Sequence, residues 1–383
     1  MSVPGSPESD PESVRRAALL ERLRHVAEPD GFVPFDRFMD VALYGEGVGY
    51  YARRGTPFGR RGDFYTAAHV SPLFGEALAE KVRSVLATLP PGPPPCVVEV
   101  GPGDGTLAEA LVEGLSKGPA ATPGLEYVMV ERSTSLARAA LERVRSVNPG
   151  TGIAVRLSSG IGADGPFRGV VIANELLDAQ PVRRLRWDGT AWQELGMRVS
   201  RDGLTSASVP CDRAIPGPDL PLGVPEGTVL EVSPMAEAIV REVADHLRAG
   251  AALFMDFGME QSELVAAHPA GTIAAVRKHR PVDDPLDAPG SADLSAFVNF
   301  DRIRAVARAA GLNEVAFRRQ AEALGEWGFP RLLERALSSA PSEEARVRTH
   351  LAAKNLLFGF DRFCVLELAP PVPAERIGAG RVT

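Results

Sequence analysis

Lysine is nearly missing from this sequence, cysteine is scarce, and no apolar run is long. Lysine occurs only at Lys81, Lys117, Lys278 and Lys354, so the 42 basic residues are almost all arginine, set against 49 acids. The resulting net charge of -7 argues against recognition of nucleic acid over a broad basic face. The three cysteines, Cys96, Cys211 and Cys364, lie far apart and form no CxxC pair. That excludes a zinc ribbon and a redox dithiol, and it fits reduced thiols in a cytoplasmic protein. No stretch reaches the ~18 apolar residues of a membrane-spanning helix. The opening MSVPGSPESDPESVRR is polar and acidic, unlike a secretory signal or a transit peptide. What remains is ordinary globular material: 383 residues, 45% hydrophobic and 24% charged. This predicts one large domain, or a core domain carrying insertions.

Residues 1–12 read as a disordered tail rich in Ser, Pro and acids. Residues 13–92 read as an N-terminal helical region. It contains a long irregular loop, RRGTPFGRRGDFYTAAHVSPLFG, whose aromatics argue for order. After PPGPPP, short β-branched runs alternate with helical ones: Cys96–Val100, Leu107–Leu115, Leu125–Val130, Ser135–Val147. Strands alternating with helices imply βαβ units and a parallel sheet, so residues 93–383 are expected to form a Rossmann-like, doubly wound α/β core. Two stretches break the rhythm, at about 183–227 and 259–298, and are read as insertions on the substrate side. The first contains RRLRWDGTAWQELGMRVS, a hairpin pattern turning at Asp188-Gly189.

Three segments carry chemistry. In VVEVGPGDGT an apolar strand containing Glu99 runs into Gly101, Gly103 and Gly105, and a helix follows. Glycines there let a ligand approach the backbone, and the helix start offers free N–H groups. Thr106 breaks the dinucleotide fingerprint, which disfavours a nicotinamide oxidoreductase, and the loop lacks the P-loop's Gly-Lys-Ser/Thr. Its G-x-G-x-G form resembles the S-adenosylmethionine loop of class I methyltransferases. The next strand ends in Glu131, placed to accept hydrogen bonds from both ribose hydroxyls of an adenosine ligand. In VVIANELLDAQPVRRL a buried strand runs into Asn174, Glu175 and Asp178, polar groups at the crevice where substrate meets cofactor. His69 is a candidate general base for a hydroxyl acceptor, and His279 a lesser one. The pairs Arg60-Arg61 and Arg183-Arg184 read as a solvated face or as an anchor for an acidic group. No metal-ligand cluster is visible.

At these residues the chain resembles the MidA family of S-adenosylmethionine-dependent methyltransferases, which includes a mitochondrial arginine methyltransferase. The matching segments include FDRFMDVALYGEGVGYY, GRRGDFYTAAHVSPLFGE, VVEVGPGDGTLAEAL, NELLDAQPVRRL and FGFDRFCVLEL. The resemblance implies a class I methyltransferase core that holds S-adenosyl-L-methionine through Gly62, Asp63, Thr66, Glu99, Gly101, Gly103, Glu131 and Asn174. It implies catalytic roles for Glu175 and Asp178, and places His69 in the active-site segment. The chain departs from the family pattern at Ala68-His69, where Pro-Glu is usual. It departs also at Leu176-Leu177, for an aromatic pair, and at Phe257 in Asp256-Phe257-Gly258, for Tyr. The expected function is methyl transfer to a protein arginine. The alternatives are an O- or N-methyltransferase of a small metabolite, or a non-catalytic assembly factor. The expected partner is therefore a protein or small-molecule acceptor, with a homodimer left open and no role for nucleic acid or membrane.

Overall fold

Two kinds of sheet divide the chain, a parallel one buried on both faces and an antiparallel one beside it. The computed structural model describes residues 11–52, 66–117, 122–147, 152–200, 203–215, 217–221, 223–277, 280–286 and 289–371, with side chains from residue 14 onward. The expected tail thus lies outside the described residues up to residue 10, and a helix already begins at Pro11. The N-terminal part forms α1 (Pro11–Val26), β1 (Phe32–Pro34), α2 (Phe35–Tyr44), a single 3-10 turn at Tyr50–Ala52, α3 (Ala67–Val70) and α4 (Pro72–Ala87). The alternating stretch gives β2 (Cys96–Val100), α5 (Thr106–Ser116), β3 (Glu126–Val130), α6 (Thr134–Val147), β4 (Ala154–Ser158) and β5 (Phe167–Asn174). A meander follows, β6 (Arg183–Trp187), β7 (Trp192–Val199) and β8 (Leu204–Pro210), then β9 (Val229–Val232), α7 (Pro234–His246) and β10 (Leu247–Met259). Next come α8 (Gln261–Ala267), β11 (Ala274–Arg277), β12 (Arg280–Pro281), β13 (Asp293–Ser295) and β14 (Val298–Asn299). The chain closes with α9 (Phe300–Ala309), β15 (Asn313–Arg319), α10 (Gln320–Glu326), α11 (Phe329–Ser338), α12 (Glu343–Lys354) and β16 (Phe363–Ala369).

The main sheet has the order β15-β16-β10-β5-β2-β3-β4, with β14 added on β10. Strands β4, β3, β2, β5 and β10 run parallel, and β16 is antiparallel to both its neighbours. Successive residues of the central strands feed opposite cores. Val97 and Ile172 pack under α4 and α5, while Val98 and Val171 pack under α7 and α9. Burial on both faces is why these strands read as unbroken apolar runs. From β2 the chain steps outward to β3 and β4, then returns to β5 on β2's other side. This reversal opens a crevice at the carboxyl ends of β2 and β5, where open α/β sheets bind ligands.

The antiparallel sheet has the order β1-β7-β6-β9, with β8 on β7. Val33 in β1 pairs with Met197 in β7, so the N-terminal region and the stretch after 183 share one sheet. They share one core as well, in which Leu19, Phe38 and Leu43 meet Met197 and Leu294. The turn between β6 and β7 is closed by Asp188, whose Oδ1 accepts from the N–H groups of Thr190 (2.9 Å) and Ala191 (2.8 Å). Arg183 corrects the expectation of a solvated basic pair or an acceptor anchor. It is 1% exposed and held by both oxygens of Glu194, at 2.8 and 2.9 Å. Arg184 in turn pairs with Glu231. Arg60 and Arg61 lie outside the described residues.

Candidate active site

The glycine loop is local in origin. Gly101, Gly103 and Gly105 take φ values of +73°, +56° and +81°, a region costly for residues with a Cβ. The Gly101 N–H donates to the Val130 carbonyl at 2.9 Å, tying the loop to β3. A Cβ at Gly105 would stand 2.7 Å from Ala140 Cα, so glycine lets α5 and α6 pack closely. At the end of β3, Glu131 accepts from the N–H groups of Gly103 (3.2 Å) and Ser133 (2.8 Å). Burial raises its carboxyl above the ordinary range, and these N–H bonds oppose the rise. Glu99 sits beneath the loop, accepting from the Tyr127 hydroxyl at 2.7 Å. Burial pushes it up to about 7, against that hydrogen bond.

The second element is the turn after β5. Glu175 has φ +51°, the one non-glycine residue with positive φ among those described. Such strain persists where its surroundings hold it, and it concentrates at functional sites. The Glu175 N–H donates to the Met255 carbonyl at 2.8 Å. Its Oε1 accepts from the Ala67 N–H (2.8 Å) and from Asn174 Nδ2 (3.3 Å). Burial still pushes this carboxyl up to about 8, helped by the charge of Asp178. Asp178 is raised well above its usual range by burial and by Asp256 and Asp293. Asn174 Oδ1 is buried and has no hydrogen-bond partner among the described residues.

The third element is aromatic and comes from the N-terminal region. The Tyr44 and Tyr51 rings stack with centroids 5.5 Å apart. The Tyr44 hydroxyl donates to the Ala179 carbonyl and the Tyr51 hydroxyl to Asp293 Oδ1, each at 2.9 Å. Arg132, the residue after Glu131, lies over the Tyr44 ring at 4.4 Å and pairs with Asp40. His69 faces the glycine loop. Its Nδ1 is 2.6 Å from Thr66 Oγ1, and its Nε2 lies 3.3 Å from Asp104 Oδ2 and 3.2 Å from Thr106 Oγ1. Burial works to raise Asp104, but hydrogen bonds from His69 and Thr106 and the Arg143 charge hold it below the usual carboxylate range.

One cavity of about 550 Å³ joins the three elements. Of the residues singled out in the sequence, Thr66, His69, Glu99, Gly101, Gly103, Glu131, Asn174, Glu175 and Asp178 all line it. Gly62, Asp63 and His279 lie outside the described residues. Sequence reasoning passed over Tyr44, Tyr51 and Asp104, which also line the cavity, and Asp293, which reaches it from β13. Among the described residues no group of three or more His, Cys, Asp or Glu is arranged to hold a metal. No helix among them is long and apolar enough to cross a membrane.

This geometry agrees with what the chain matches. Residues 77–317 match a family described as S-adenosyl-L-methionine-dependent methyltransferases. The chain belongs to this family. It is an S-adenosylmethionine-dependent methyltransferase of MidA type. A Drosophila melanogaster relative, the mitochondrial protein arginine methyltransferase NDUFAF7 homolog, is 30% identical over 334 residues, 80% of this chain and 74% of its own. The Mus musculus protein arginine methyltransferase NDUFAF7 is 26% identical, covering 78% of this chain and 71% of its own. A crystal structure from Burkholderia thailandensis, bound to S-adenosyl-homocysteine, is 30% identical with a TM-score of 0.82. That alignment spans 96% of this methyltransferase and 95% of the other chain.

Proposed function

We propose that this methyltransferase modifies the guanidinium of a protein-bound arginine. The carrying observation is the convergence of Glu175, Asp178 and Asp293 with the stacked Tyr44 and Tyr51 at one cavity. A guanidinium is planar and always charged, presents a fork of N–H donors to carboxylates, and stacks on aromatic faces. Among the described residues, seven carboxylates line the cavity, namely Glu99, Asp104, Glu131, Glu175, Asp178, Glu242 and Asp293, against one arginine, Arg132. That balance favours a cationic acceptor over a neutral one. The names of the Drosophila and mouse relatives support the same reading.

When bound, the cofactor supplies an electrophilic methyl group on a sulfonium. The residues present fit it. Asn174 Oδ1 is a buried acceptor with no donor among the described residues, which is costly unless a ligand provides one. It is read as the acceptor for the cofactor's ammonium group. Glu131 is read as the acceptor for the ribose hydroxyls, with Gly101 and Gly103 giving backbone access and Glu99 supporting the loop from below. Thr66 shares this role, as do Gly62 and Asp63 by family resemblance. On the acceptor side, Glu175 and Asp178 bind and orient the guanidinium, and an arriving cation favours their ionised forms. Glu175 then receives the proton that the acceptor nitrogen loses. The competing small-molecule reading needs His69 as a base for a hydroxyl. Both its ring nitrogens face Thr66, Asp104 and Thr106, which fits a residue positioning the glycine loop.

The test is methyl transfer from labelled cofactor to an acetyl-Gly-Arg-Gly-amide peptide, beside its citrulline counterpart. Citrulline keeps the shape and removes the charge. Label on the arginine peptide alone is expected. Equal labelling of both, or label only on small hydroxyl compounds, overturns the reading.

A further inference from the structure

A buried carboxylate one layer behind the cavity organises its acidic side. Asp256, near the carboxyl end of β10, has no solvent exposure. Three backbone N–H groups donate to it. Those of Leu176 (3.0 Å) and Leu177 (2.7 Å) reach Oδ2, and that of Phe257 (3.0 Å) reaches Oδ1. The first two belong to the turn that carries Glu175 and Asp178. This turn needs such a hold, because Glu175 occupies a backbone region that L residues rarely adopt. The adjacent Met255 carbonyl accepts from the Glu175 N–H, so two successive residues of β10 grip the turn. Asp178 stands close enough that the Asp256 charge, after burial, raises its carboxyl well above the usual range. Like charges buried this close disfavour ionisation of both groups at once. Glu175 on the same turn and Asp293 from β13 are the further carboxyls acting on the pair.

We infer that Asp256 is a positioning residue for methyl transfer: by accepting from the Leu176 and Leu177 N–H groups it fixes the 175–178 turn and so aims Glu175 and Asp178 at the acceptor. The inference rests on the reading that Glu175 and Asp178 meet the acceptor. Asp256 itself stays behind the cavity wall and acts through those two residues. Nor is it replaceable by packing alone. Three inward-pointing N–H groups would be left without an acceptor in a buried site, a costly arrangement.

Two measurements test this, each on the full chain as Asp256→Asn, Asp178→Asn and the double variant. The first is kinetics on the arginine peptide, with affinity for S-adenosyl-homocysteine measured by calorimetry. Asp256→Asn should lower kcat by about 100-fold, the scale of a misplacement near 1 Å. KM for the peptide should rise less than kcat falls, and the S-adenosyl-homocysteine affinity should hold. Added to Asp178→Asn it should cost less than it does alone, because the part exerted through Asp178 is already lost and only the part through Glu175 remains. The second is infrared spectroscopy of the S-adenosyl-homocysteine complex. In the difference spectra, the carbonyl component of protonated Asp178 should be lost in Asp178→Asn and shifted in Asp256→Asn, while the components from Glu175 and Glu99 remain. Multiplying kinetic losses, or a band indifferent to both substitutions, overturns the inference. So does loss of S-adenosyl-homocysteine binding in Asp256→Asn, which would make Asp256 a purely structural residue. If the wild-type protein leaves the peptide unmethylated, the arginine reading fails, and the infrared arm alone decides whether Asp256 sets the position of Asp178.

Discussion

Replacing Glu175 by glutamine should flatten the pH dependence of stability. Burial pushes this carboxyl up to about 8 from an ordinary value of 4.5, and the bond from Ala67 recovers only part of the shift. The unfolded chain exposes the same carboxyl to water, where it titrates at its ordinary value. Between those two values the folded protein keeps a proton that the unfolded chain has released. Stability therefore falls as pH rises through this window and is lowest above it. Each pH unit is worth about 1.4 kcal/mol. From pH 5.5 to 8 the loss from Glu175 is about 3 kcal/mol on that scale. At roughly 2 °C per kcal/mol for a large chain, this is about 6 °C in melting temperature. Glutamine retains an oxygen for the Ala67 N–H and carries no titrating proton. The assay is scanning calorimetry of both proteins without ligand at the two pH values. The glutamine variant should gain on the wild type by about 6 °C between them. Asp178, Asp256 and Glu99 are also raised, but they are present in both proteins. A difference that stays constant with pH would refute the idea that Glu175 is held protonated by burial.

Two further substitutions bear on the cofactor. Glu131→Gln removes a buried charged acceptor at the end of β3. Hydrogen bonds to charged groups contribute about 1.5–3 kcal/mol, so S-adenosyl-homocysteine should bind roughly ten- to a hundredfold more weakly by calorimetry. An unchanged affinity would remove Glu131 from the site. Gly101→Val places a β-branched residue at φ +73°, with a Cβ 2.7 Å from Leu176 Cδ1. The left-handed backbone alone costs about 1–2 kcal/mol, so melting should drop by a few degrees and adenosyl-ligand binding should be lost. Normal binding in that variant would place the cofactor away from this loop.

Much of the core was legible because its signals are local. A β-branched run, a glycine loop and an amphipathic segment lie within about twenty residues, and β2, α5, β3 and α6 form within a residue or two of the expected bounds. Other elements carried no such signal. The strand β1 has three residues, too few for any period to show. The strand β15 is NEVAFRR, with its first three residues exposed at a sheet edge, and it does not read as an apolar run. The N-terminal region reads as helical, yet its short strand is what joins it to β7.

The acidic side of the cavity shows most clearly where local reading stops. Residue type and position were enough to select Glu131, Asn174, Glu175 and Asp178, because each follows a strand whose carboxyl end must face the crevice. The sequence determined, by itself, a glycine-rich loop at the end of a strand and the polar residues flanking it. Tertiary structure alone decided their company. Tyr51 meets Asp293 across 242 residues of chain, and nothing in either neighbourhood encodes that contact. Asp256 is the sharper case, since a lone carboxylate is ordinarily exposed. Only the pairing of β10 with β5, which sets Met255 beside Asn174, buries it under the turn it holds. Short-range pattern specifies secondary structure and strand ends, whereas burial and the company of charged groups depend on which distant segments the fold brings together.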